Sequence, residues 1–147
     1  MVALKARAKD DVAAALSLEG LKDPEMRRSM SSPAIALFLR TSDLWDLKVE
    51  DRMSILGGIS RQTYHNWKSG KVATLTRDQL ERISLTLGVL KALRLIFAED
   101  QQAAGWLKAA NTDAGFGGRP PLEIMADGGV NGLYQVRRYL DAWRGVK

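Results

Sequence analysis

Cysteine is absent from the 147-residue chain, and histidine occurs once, at position 65. Without cysteine there are no disulfides and no thiolate chemistry. A zinc site with one histidine would draw nearly all its ligands from carboxylates, an unusual set. A Ser-His-Asp triad would have to use His65, which stands beside Trp67 and Lys68 with no acid near it in sequence. The chain is therefore expected not to be an enzyme, and to carry no metal and no cofactor. No apolar run approaches the length that spans a bilayer, so no membrane segment is expected. Asp10 and Asp11 stand where a secretion signal needs its apolar stretch, and the cytoplasm is the expected compartment.

Acidic residues are also missing between Asp51 and Asp78, where Arg52, Arg61, Lys68, Lys71 and Arg77 fall. Over the whole chain the formal net charge is +5. A local positive field of this kind favours a polyanionic partner. With 46% hydrophobic and 27% charged residues, the composition is that of a folded globular protein.

The apolar residues recur at helical spacing, and no alternating strand-type run occurs, so the expected fold is all-α. Asp11 to Leu18 can form a short helix. Ser32-Pro33 reads as an N-cap with proline at the first helical position, predicting a helix over about 33–45. A second helix is expected over Leu47–Leu56, ended by Gly57-Gly58, and a third from the Ser60 cap to Ser69. Thr76 and Gln79 have capping-box spacing and open a long helix. That helix carries two apolar stripes, Leu80, Ile83, Leu87 and Leu90 on one and Leu85, Val89, Leu93 and Ile96 on the other. A helix apolar nearly all round is buried, or shared between two bodies or two chains. Shorter helices are expected over Glu99–Ala109 and from Pro120-Pro121 to Gly128-Gly129. Asn131 is expected to cap a last helix whose Leu133, Val136, Leu140 and Trp143 share a stripe. The expected division is an N-terminal arm or dimerisation segment over 1–30, a helix-turn-helix domain over 31–97 and a second helical domain over 98–147.

The pair Leu47–Leu56 and Ser60–Ser69, joined by a glycine turn, has helix-turn-helix spacing. In that motif the second helix offers its first side chains to base edges in the major groove. Ile59, Tyr64 and Trp67 fall on the side facing the first helix and are expected in the core. Arg61, Gln62, His65 and Asn66 fall on the opposite side. Arginine can pair bidentately with guanine, and glutamine or asparagine with adenine. Ser60 caps the helix end that can meet a phosphate, and Lys68 and Lys71 suit phosphate contacts. The run from Ile59 to Lys71 resembles the recognition helix of λ-repressor-like helix-turn-helix proteins.

The C-terminal third holds Trp106-Leu107, Asn111, the block Phe116-Gly117-Gly118-Arg119-Pro120-Pro121-Leu122-Glu123, and Arg137-Arg138-Tyr139-Leu140. No strand precedes the glycines, so a dinucleotide fingerprint is unsupported. P-loop spacing is absent. Asp113, Glu123 and Asp127 lack a complementary site for acid–base work. Read by itself, the block is a tight loop in which Phe116 packs underneath and Arg119 caps a carbonyl or pairs a carboxylate.

Taken in order, the residues from about Leu44 to Arg144 resemble the Xre/MbcA/ParS antitoxin family, with the Phe-Gly-Gly-Arg-x-Pro block the most specific piece. The resemblance implies a cognate toxin carrying a RES domain, which consumes NAD. It implies an antitoxin that covers the toxin's active site with its C-terminal domain and holds operator DNA of its own promoter. Arg119, Arg138, Tyr139, Trp143, Arg144 and Lys147 are the expected toxin contacts, since aromatic residues and arginines are the usual interface anchors. A homodimer is expected, because a single helix-turn-helix rarely holds a site well. The competing classes are a stand-alone repressor with no toxin partner and a small enzyme acting on nucleic acid.

Overall fold

The computed structural model describes residues 22–143 and residue 145. The expected helix over Asp11–Leu18, most of the expected N-terminal arm, and Arg144 and Lys147 lie outside the described residues. Among the described residues every regular element is a helix: α1 (Pro24–Leu44), α2 (Val49–Ile55), α3 (Arg61–Lys68), α4 (Arg77–Ile96), α5 (Asp100–Lys108), α6 (Pro121–Asp127) and α7 (Gly129–Trp143). The all-α expectation holds.

α1 starts well before the expected Ser32-Pro33 boundary. Asp23-Pro24 supplies the same start signal upstream, and the Asp23 side chain accepts from the Glu25 backbone N–H at 3.0 Å. Pro33 sits inside the helix on its exposed side. The turns before it are held by a tertiary contact. Buried Ser31 donates to the Arg27 carbonyl at 2.6 Å and accepts from the Leu75 backbone N–H at 2.9 Å. Residues 24–30, expected in the arm, thus belong to the first helix.

Three helix ends share one chemistry. After α1 the Leu47 N–H returns to the Ser42 carbonyl, after α2 Gly58 returns to Met53, and after α3 Lys71 returns to Asn66. These bonds satisfy carbonyls that the helix leaves unpaired. At the first end the left-handed residue is Asp46, at φ 50°, rather than glycine. The Thr76–Gln79 capping box is present, with both reciprocal hydrogen bonds at 2.9–3.0 Å.

α7 begins at Gly129 and not at an Asn131 cap; Asn131 lies exposed inside its first turn. The reason is the tight α6–α7 corner. The Gly128 carbonyl already accepts from Gly132, and a Cβ on Gly132 would stand 2.1 Å from the Ile124 carbonyl oxygen. Only glycine allows the two backbones to cross at that distance.

α4 is the axis of the molecule. It packs against α1 on one side and α7 on the other, which accounts for its two apolar stripes. Leu80, Ile83, Val89 and Leu93 are fully buried, as are Phe38 of α1, Leu107 of α5, Met125 of α6 and Leu133 of α7. They form one continuous cluster. α2 packs on α6, so the first helix of the helix-turn-helix rests on the C-terminal third.

Candidate functional site

α3 is built for display. Ser60 caps it, its hydroxyl accepting from the Thr63 N–H at 3.1 Å. Tyr64 and Trp67 are buried on the inner side, and Ile59 is half-buried beside them. Arg61, Gln62, His65, Lys68 and Lys71 are exposed, and Asn66 is half-exposed. Gln62 donates to the Asn66 side-chain carbonyl at 3.0 Å, so these two amides act as a pair on one helical row. Arg61 pairs with Glu50 of α2 at 3.1 Å.

One residue of the basic stretch leaves the exposed surface. The Arg52 side chain is 11% exposed and holds the motif together. Its Nε donates to the Leu47 carbonyl at 3.0 Å, and its Nη1 reaches Asp43 at 2.9 Å and the Tyr64 hydroxyl at 3.3 Å. Arg52 thus ties the end of α1 to α2 and α3, and its charge is matched by Asp43 rather than offered to a polyanion.

The C-terminal block closes over an aromatic cluster. Phe116 is buried. The Tyr139 ring stacks on Trp106 with centroids 5.9 Å apart and meets Phe116 edge-on at 4.9 Å. The Tyr139 hydroxyl donates to the Asp113 carboxylate and accepts from the Trp143 indole N–H at 3.1 Å. That hydrogen bond to Asp113, and then burial, raise the Tyr139 pKa above the ordinary tyrosine range. Trp143 itself does not join the stripe of Leu133, Val136 and Leu140. Those three are buried, whereas Trp143 is 66% exposed. Its N–H bond to Tyr139, one helical turn back, holds the ring at the surface.

Arg119 takes the carboxylate option, pairing with Glu123 at 3.2 Å and with Asp127 at 2.6 Å. It locks the Phe-Gly-Gly-Arg loop onto α6. Arg138 is exposed, its guanidinium 5.8 Å from the Tyr134 ring centre. Beside the loop lies a shallow cavity of about 470 Å³, lined in part by Phe116, Arg119, Ile124, Asn131 and Gln135. Sequence reasoning missed Glu50 and Asp113, the acids that engage Arg61 and Tyr139. Each lies far from its partner in sequence, so no local spacing marks it.

The geometry defines a helix-turn-helix protein with a second helical unit built onto the same core. Known proteins agree. The antitoxin Xre-like helix-turn-helix domain matches residues 25–88, and the antitoxin Xre/MbcA/ParS C-terminal toxin-binding domain matches residues 92–145. An uncharacterized protein of Sinorhizobium fredii, y4oB, is 39% identical over 108 residues, covering 74% of this chain and 81% of that protein. No solved structure matches. The chain belongs to the Xre/MbcA/ParS antitoxin family and has the two parts of a type II antitoxin, a DNA-binding fold and a toxin-binding domain. Among the described residues no helix is long and apolar enough to cross a membrane.

Proposed function

We propose that this antitoxin neutralises a RES-domain, NAD-consuming toxin by binding directly over its active site, and that it represses its own operon through α3. The observation that carries the reading is Trp143, an exposed tryptophan on the last helix of a domain matched to toxin binding. A large aromatic held at the surface by a hydrogen bond is a typical interface anchor. Arg138 stands on the same helix, and Arg144 and Lys147 follow it in sequence. Residues 98–147 form the toxin-binding part, residues 24–97, with the whole of α1, the DNA-binding part, and the protein acts in the cytoplasm as a homodimer without catalysis of its own.

On the DNA side, Ser60, Lys68 and Lys71 meet phosphates, and Arg61, Gln62, His65 and Asn66 face base edges. Base edges carry the sequence information, whereas phosphate contacts supply affinity.

Expressing the adjacent open reading frame alone and together with this chain tests the proposal. Arrest alone and rescue on co-expression, with an NAD-depleted pool in the arrested cells, is the expected result. Arrest without NAD loss would move the toxin to another reaction class. No arrest at all would leave a regulator without a toxin.

A further inference from the structure

Arg61 opens α3, and its side chain is 60% exposed. A long side chain so placed has many rotamers, and on DNA it has phosphates in every direction. Among the described residues its one ionic partner is Glu50, in the first turn of α2 across the turn of the motif. The contact uses a single nitrogen, Nη2, at 3.1 Å from Oε1. An arginine carries five N–H donors, so a second edge stays available for a bidentate contact.

Glu50 keeps its charge, and the two helices that carry the pair are tied to each other. The Glu50 carboxylate is held below the usual carboxylate range, first by its own backbone N–H and then by Arg61. α2 and α3 are themselves joined through Arg52 and Tyr64. The helix dipole alone does not explain an acid aimed at Arg61, because Asp51 supplies negative charge to the same helix end. A carboxylate on a DNA-facing edge also repels phosphates and lowers sequence-independent affinity.

We propose that Glu50 is a positioning residue for DNA reading: it holds the Arg61 guanidinium toward the base edges, so that Arg61 selects one base pair instead of taking any phosphate. Specificity is a difference between two affinities. Glu50 widens it from both sides, orienting the contact with the right base and weakening contacts with arbitrary sequence. The inference rests on the operator-reading function proposed above for α3.

The test uses the full chain and two duplexes, the footprinted segment upstream of its own gene and a scrambled sequence of the same composition. Dissociation constants are compared for wild type, Glu50→Gln, Glu50→Ala, Arg61→Ala and the Glu50→Ala, Arg61→Ala double variant. Glu50→Ala should reduce discrimination on the order of tenfold, with the loss focused on one base pair. Glu50→Gln, which keeps a hydrogen-bond acceptor, should retain part of it. In the Arg61→Ala background Glu50→Ala should change discrimination no further. Equal gains, or equal losses, on both duplexes for Glu50→Ala would overturn the proposal while sparing the operator reading. A wild type with no preference between the duplexes would overturn both.

Discussion

Arg137 of α7 lies across Gly88 of α4 so closely that a Cβ on Gly88 would stand 1.9 Å from its Nη1. The same guanidinium faces Asp141, with Nε 3.5 Å from the carboxylate. Glycine inside a helix costs about 0.5–1 kcal/mol relative to alanine, and here it leaves room for the arginine. In an Arg137→Ala background, Gly88→Ala should therefore stabilise the protein by about that amount. With Arg137 present the same change pushes aside the end of a flexible, partly exposed side chain, at a cost of about 1 kcal/mol, and cancels the gain. Urea denaturation of the four proteins measures the coupling. A coupling under about 0.5 kcal/mol would show that Arg137 moves aside freely.

That contact joins two distant segments and was not legible in the sequence, whereas local features were. Helix positions, the Thr76 and Ser60 caps, the glycine ends and the inner face of α3 are local patterns, and the structure repeats them. The start of α1 was misplaced because two proline signals, Pro24 and Pro33, compete, and a tertiary bond from Leu75 to Ser31 decides between them. Trp143 has two readings in the sequence, a place in the apolar stripe and a place at the toxin surface, and periodicity does not choose between them because it assigns a face without regard to side-chain hydrogen bonds. Arg61 with Glu50, Tyr139 with Asp113 and Arg137 with Gly88 are all contacts between different segments, and no spacing rule reaches them.

Arg52 separates fold from binding within the basic stretch. Arg52→Ala leaves the Leu47 carbonyl and the Tyr64 hydroxyl without their partner, at a cost of about 1–3 kcal/mol. Melting temperature should fall. Once the experiment is run well below the melt, operator affinity should fall little. A large loss of affinity in a fully folded Arg52→Ala protein would return Arg52 to the DNA surface.

Arg61→Ala and Lys68→Ala should fail differently. The first removes the candidate guanine contact and should weaken operator binding by about 1–3 kcal/mol, relaxing specificity at one base pair. The second removes a phosphate contact and should weaken all sequences alike, lowering the salt slope by about one. Titrations at several salt concentrations distinguish them. Identical profiles for the two variants would mean that Arg61 meets the backbone as well.

Tyr139 predicts an alkaline dependence. Its pKa is raised by the hydrogen bond to Asp113 and by burial. A group whose folded pKa exceeds its unfolded value adds stability that is complete below the unfolded value, about 10 for tyrosine. That stability is lost as the pH rises through the folded value. Wild type should lose stability relative to Tyr139→Phe across this window, while the lysines, which titrate in both proteins, cancel. Denaturation midpoints of the two proteins on either side of pH about 10 check it. A difference that stays flat would show that the hydroxyl does not donate to Asp113.

Trp143 offers the sharpest division between surface and core. Deleting everything after Arg138 is too blunt, because it takes away buried Leu140 and the Tyr139 stack along with the exposed ring. Trp143→Ala removes a side chain that is 66% exposed, so it should change stability by less than about 1 kcal/mol. If the ring anchors the toxin, the same change should weaken the toxin complex by about 2 kcal/mol or more, close to thirtyfold in affinity. Calorimetry with the co-expressed toxin measures one quantity and thermal denaturation the other. Unchanged toxin affinity would clear Trp143 of the interface and shift attention to Arg138 and the groove beside Phe116. Falling stability with unchanged affinity would assign the ring to the fold, through its bond to Tyr139.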